Sequence, residues 1–163
     1  MKIFLLLCIA ILFQISGLAR IVPGDAFVNL VLALIVLFWF GHKDRQKVVV
    51  PVLAAAALLG MLSALPFWAV LVSFAAVLAA FRALSVFLPH RTFLHACVFT
   101  VAGIVASLGA LWISLYGAHA MGFSAFSPWS LALSLSGIAG ETVATLAALA
   151  ILYPLRNKTW ITL

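Results

Sequence analysis

Three carboxylates, Asp25, Asp44 and Glu141, are all that the chain offers for acid–base or divalent-metal chemistry. Asp25 and Asp44 stand in short polar breaks between apolar runs, and Glu141 alone lies inside one, SLALSLSGIAGETVATLAALAILY from Ser130 to Tyr153. Carboxylates so dispersed assemble neither an acid pair nor a site holding two metal ions. His90 and His95 miss the i, i+4 spacing that puts two imidazoles on one helix face, and no HExxH occurs. They read as a solvated loop histidine and an interfacial one. No serine sits in a GxSxG elbow, and His119 is the one imidazole near any serine on its side of the chain. Cys8 and Cys97 both lie in apolar runs and read as packing residues, far from the clustered spacing of a metal site. With no Gly-rich phosphate loop either, the expectation is a protein that is not an enzyme and takes no cofactor or metal.

Glu141 therefore carries the chemical interest. Twenty-four residues at about 1.5 Å of rise each cross a hydrocarbon core of roughly 30 Å, and Glu141 falls near the middle of that span. Ser130, Ser134, Gly137, Glu141 and Thr145 form one stripe at helical steps, with Ser136, Gly140, Ala144 and Ala148 beside it. Small residues of this kind let helix backbones approach in lipid, so Glu141 is expected to face protein. The candidate intramembrane site is Glu141 with Ser134, Gly137, Gly140 and Thr145. As a functional group Glu141 would be an ion or proton relay, or the anchor of a partner's polar residue. The simpler expectation is a neutral carboxyl held by neighbouring Ser and Thr hydroxyls and by backbone, since relays recruit several ionisable groups.

The elements that must position this residue follow from composition. Of 163 residues 67% are hydrophobic and 7% charged, against about a quarter charged in soluble domains. The net charge of +6 comes from nine Lys and Arg scattered over short loops, without the continuous basic face that nucleic acid requires. The chain reads as an all-α, polytopic membrane helix bundle with the lipid bilayer as its surroundings, a single membrane domain over residues 1–163. Punctuation by Pro, Gly and charge predicts six transmembrane helices, at about 3–19, 26–41, 48–65, 67–88, 92–116 and 130–153. Ile3 to Ala19 reads as a retained helix, although a basic start, an apolar centre and Ala19 also fit a cleaved signal peptide.

With both termini cytoplasmic, Lys2, Lys43, Arg45, Lys47, Arg82, Arg91, Arg156 and Lys158 lie inside and only Arg20 outside, as the positive-inside rule prefers. Trp39 and Trp160 then fall at the cytoplasmic edge, and Trp68, Trp112 and Trp129 at the outer edge. The stretch Gly117 to Trp129 would lie along the outer interface. Small residues recur at helical spacing in the third run (Ala56, Gly60, Ala64), the fourth (Ala69, Ser73, Ala76, Ala80) and the fifth (Gly103, Ser107, Ala110, Ser114). The last four helices are thus expected to form the close-packed bundle, and the first two, richer in Leu, Ile and Phe, to cover it or meet a partner.

Asn29-Leu30-Val31-Leu32, the stretch Leu58-Leu59-Gly60-Met61-Leu62-Ser63-Ala64-Leu65-Pro66-Phe67, and the closing Leu152-Tyr153-Pro154-Leu155-Arg156 resemble the rod-shape-determining MreD family, as does the plan of six short-looped spans. The chain departs from that pattern at Val28, where the family usually has Pro, at Gly60, where it has an acidic residue, and at Ser63-Ala64, where it has Ser-Gly. The resemblance implies a non-enzymatic, multi-pass scaffold subunit of the bacterial cytoplasmic (inner) membrane. Its partners would be an MreC-like bitopic scaffold and the wall synthase complex of cell elongation. No site residue is carried over.

Two other readings stay open. One is the substrate-binding membrane component of an energy-coupling-factor-type vitamin transporter, which should line an outward-facing cavity with polar and aromatic groups; Asn29, His119, Trp68, Trp112 and Trp129 are the candidates at that end. The other is an ion- or proton-coupled protein using Glu141, with a water path along the Ser130 to Thr145 stripe.

Overall fold

A computed structural model describes residues 2–16, 28–42, 44, 46–63, 65–88, 92–122 and 131–154, and within these the side chains of Lys2 and of residues 131–137 are not described. Six helices and no strand occur among the described residues: α1 (Lys2–Ile15), α2 (Leu30–Gly41), α3 (Gln46–Leu62), α4 (Phe67–Phe87), α5 (Phe93–Ala120) and α6 (Leu131–Leu152). The described residues form an all-helical fold.

Helix ends follow local chemistry. Asn29 caps α2, its Oδ1 accepting the Leu32 N–H at 3.0 Å, so the helix starts at Leu30 and not at residue 26. Ahead of α3, Asp44 Oδ1 accepts the Gln46 N–H at 3.1 Å, which gives this loop carboxylate a capping role. Thr92 caps α5 by accepting the His95 N–H. That helix runs through Gly117 to Ala120, four residues past the expected end, and stops where Gly122 takes a positive φ of 90°. Residues 123–130 and 155–163 lie outside the described residues, and with them the placements of Trp129 and Trp160. The question of a retained or cleaved first segment meets residues 17–27, also outside.

Two helices, α4 and α5, are long and apolar enough to cross a membrane. Of the residues in their most apolar windows 28% and 33% are buried within the protein, which is compatible with a membrane location. The remaining helices are shorter: α2, with 12 residues, rises about 18 Å. Six crossings, expected from the sequence, therefore go beyond what the described lengths support.

The centre of the bundle is α2. Nine of its 12 residues are buried, and it packs against α1, α3, α5 and α6. This overturns the expectation that the second run covers the bundle: large side chains without small-residue grooves fill a core as readily as they face lipid. Around it, Trp39 meets Phe81 edge-on at 5.7 Å, Phe81 meets Phe99 at 5.2 Å and Phe99 meets Phe40 at 5.0 Å, joining α2, α4 and α5 in one aromatic cluster. Trp39 is 4% exposed and donates its Nε1–H to Ser85 Oγ at 3.0 Å, so its indole is held between helices. Gly103 lets the helices close in, since a Cβ there would stand 2.9 Å from Leu32 Cδ1 and 3.1 Å from Phe81 Cε1. Gly60 does the same at the α3–α4 turn, where a Cβ would meet Phe67 at 3.0 Å. At these points the small-residue stripes of α3 and α5 mark helix contacts.

Candidate functional site

The site is built where the first turn of α2 meets the middle of α6. Asn29 uses every polar group it has near this junction. Its Oδ1 is committed to the Leu32 N–H, which fixes the orientation of the amide and turns Nδ2 toward α6. There Nδ2 donates to Glu141 Oε1 at 2.8 Å. Its backbone N–H, one of those a helix start leaves without an intrahelical acceptor, donates to Thr145 Oγ1 at 3.0 Å. Residues 141 and 145 are one helical turn apart, so a single face of α6 presents both acceptors to the N-terminus of α2. The positive end of the α2 dipole lies at the same place and favours electron-rich oxygens there.

Of the residues expected to form the site, Glu141 and Thr145 are brought together, with Thr145 fully buried and Glu141 partly so. Gly140 lies partly buried beside them. Ser134 and Gly137 fall within 131–137, outside the described side chains. Among the described residues no neighbouring hydroxyl holds the carboxyl, contrary to the expectation, because the described threonines of this stretch are engaged elsewhere. Thr142 Oγ1 donates to the Ile138 carbonyl of its own helix at 2.6 Å, and Thr145 accepts from Asn29. Glu141 is bound instead by an amide 112 residues away in sequence. Sequence reasoning missed Asn29 as the partner; the signal was an Asn directly before an apolar run, the commonest N-cap pattern.

Comparison of the chain with protein-family models, with curated proteins and with solved structures found no match. Geometry alone carries the rest.

Beside the junction lies a cavity of about 290 Å³ that Asn29 helps to line. It sits at one end of the bundle, reached by the last turns of α1 and α3, the first turns of α2 and α4, and the second half of α5. Five polar side chains line it: Gln14 of α1, Ser73 of α4 and Ser107 of α5, with Asn29 just before α2 and Ser63 just after α3. None of the described lining residues bears a formal charge. Of the aromatic and imidazole groups expected near this end, Trp68, Trp112 and His119 are absent from the described lining. Trp112 instead stacks on Tyr116 at 5.3 Å, and its Nε1 is buried without a hydrogen-bond partner among the described residues. The described residues hold no group of three or more His, Cys, Asp or Glu that would bind a metal ion.

Proposed function

We propose that the chain is a non-enzymatic membrane scaffold subunit of the MreD kind, crossing the bacterial cytoplasmic membrane six times with both termini inside. The observation that carries this reading is the Asn29–Glu141–Thr145 junction. The intramembrane carboxyl is engaged in tying α2 to α6, a structural use of the group that a relay would keep free for exchange. Asn29, which opens the stretch resembling the MreD family, is the residue making that tie. The eight-to-one partition of Lys and Arg supports the six-span topology, with the shorter helices reaching the interface through flanking residues. A protein of this kind works by presenting fixed helix faces to other membrane proteins, here an MreC-like bitopic scaffold and the wall synthase complex. The outward-turned apolar surface of α4 and α5 is available for such packing as well as for lipid.

The test is purification of the tagged full chain from its native cells in mild detergent. Recovery of an MreC-like bitopic protein in near-stoichiometric amount, with loss of rod shape on depletion, is the expected result. Recovery of a transporter ATPase module in its place sinks the scaffold reading. That outcome would establish a second one, a substrate-capturing transporter component, which the cavity beside Asn29 favours because its end of the bundle is the outer one in this topology. An ion-coupled role for Glu141 predicts that Glu141→Gln, which cannot exchange a proton, abolishes function while the protein stays folded.

A further inference from the structure

The helix ends sort by charge. Trp39, in the last turn of α2, donates to Ser85, in the last turn of α4, at 3.0 Å. Phe40 meets Phe99, in the second turn of α5, at 5.0 Å, and Phe93, the first residue of α5, meets Tyr153, just past the end of α6, at 5.1 Å. The last turns of α2 and α4, the first turns of α5 and the end of α6 therefore share one end of the bundle, and α3 starts there after the short connection 42–45. α1 begins there as well, since its far end, at Gln14, borders the same cavity as Asn29 at the opposite end. Lys47, in the first turn of α3, and Arg82, near the end of α4, are exposed at this shared end. Lys43, Arg45 and Arg91 are each next in sequence to a described residue of the same helix ends, and one chain step spans about 3.8 Å. Lys2 opens α1, and Arg156 and Lys158 follow the end of α6. Eight of the nine Lys and Arg thus belong to one end. Of the three carboxylates Asp44 alone stands among them; it caps α3 through Oδ1 and reaches Lys47 only at 3.9 Å. Arg82 has no ion-pair partner among the described residues.

From this juxtaposition we propose that the basic end of the bundle is a binding collar for anionic phospholipid headgroups. The partner's chemistry follows from what stands between the cations. Val86 and Phe87, at the end of α4, are 77% and 79% exposed, and Leu94, in the first turn of α5, is 71% exposed. A soluble acidic partner would leave these side chains in water, whereas acyl chains cover them and bring a phosphate to the depth of the helix ends. Lys and Arg stems lie along such apolar surface while their charged heads reach the headgroup. A zwitterionic lipid neutralises its phosphate with its own cation, so the collar selects lipids of net negative charge. Each Lys or Arg near an anionic surface strengthens binding about fivefold, and the attraction decays within a Debye length. Such a collar requires the membrane location of the proposed function, but neither the scaffold role nor a particular orientation.

The experiment uses the full chain reconstituted in phosphatidylcholine vesicles, with a trace of spin-labelled phosphatidylglycerol or spin-labelled phosphatidylcholine as the probe. Electron spin resonance separates lipid held at the protein surface from bulk lipid. At low salt the phosphatidylglycerol probe should associate at least about twofold more strongly than the phosphatidylcholine probe, an average over all lipid contacts of which only those at the basic end gain about fivefold. The ratio should fall toward one in roughly 1 M salt, where the Debye length is about 3 Å. Arg82→Gln combined with Arg91→Gln should lower it, and Arg20→Gln, in the chain between α1 and α2 at the opposite end, should leave it unchanged. A ratio of one in the unaltered chain, a ratio indifferent to salt, no loss in the Arg82→Gln, Arg91→Gln pair, or an equal loss in Arg20→Gln overturns the proposal. The salt series needs no variant and stands even if a substituted chain does not fold. Absence of any protein-held component for either probe is a different failure, which removes the membrane location and the collar together.

Discussion

Replacing Asn29 separates the two things this residue does. Its Oδ1 closes the first turn of α2, and its Nδ2 holds Glu141 of α6. Asn29→Ala removes both. Loss of the cap costs about 1 kcal/mol, and loss of an interhelical bond in a membrane protein costs about 0.6 kcal/mol on average and up to about 1.7. The sum is about 1.6 to 2.7 kcal/mol. Asn29→Ser keeps a capping oxygen on a side chain too short to reach Glu141, so it should cost only the interhelical share. The assay is a double-mutant cycle of Asn29→Ser, Glu141→Leu and the pair, read as unfolding free energy in detergent. Coupling of about 0.6 to 1.7 kcal/mol is expected, because once either partner is gone the other has nothing left to lose. Single-variant effects that add to within about 0.3 kcal/mol would refute the idea that this bond ties α2 to α6.

Two further outcomes follow from described contacts and a third from the partition of Lys and Arg. Glu141→Gln should be tolerated, since Gln offers the same acceptor oxygen to Asn29 Nδ2, while Glu141→Leu strands that amide; co-purification of partners and a cell-shape complementation assay distinguish them. Gly103→Leu should destabilise the bundle by about 1 to 3 kcal/mol, because even a Cβ at this position comes within 2.9 Å of Leu32 and 3.1 Å of Phe81; thermal unfolding against Gly109→Leu, where a Cβ meets nothing within 4 Å, is the control. Reporter fusions after Lys47, Arg91 and Lys158 should read cytoplasmic and one after Gly122 external; a cytoplasmic signal at Gly122 overturns the six-span topology.

The helical class and the approximate bounds of α3 to α6 were legible in the sequence, because Pro, Gly and charge punctuate apolar runs whose length leaves little else to form. The bounds of α2 were not. Ala26 to Val28 extend the apolar run beyond the helix, and the N-cap type of Asn29 is the one local sign, made good by its cap hydrogen bond, that the helix begins after it. Nor was the central place of α2 legible. A run of Leu, Ile, Val and Phe has the same appearance whether lipid or protein surrounds it, and in this bundle protein surrounds it. For the site, the spacing of Glu141 and Thr145 correctly placed them on one face, since a helix fixes which residues are neighbours. What bonds to that face was hidden because the partner comes from the other end of the chain. The cavity was equally hidden, as its lining is drawn from five helices whose register no local pattern encodes.

The separation of 112 positions between Asn29 and Glu141 also sets a clock on biosynthesis. At about 5 to 20 residues per second, the carboxyl leaves the ribosome some 6 to 22 s after the amide it will bind. Throughout that interval the acceptors for Asn29 on α6 do not yet exist, and the short, almost wholly apolar α2 must be sheltered by α1, by α3 or by the insertion machinery. A ribosome that stalls before residue 141 leaves a chain lacking both of the acceptors that the start of α2 binds.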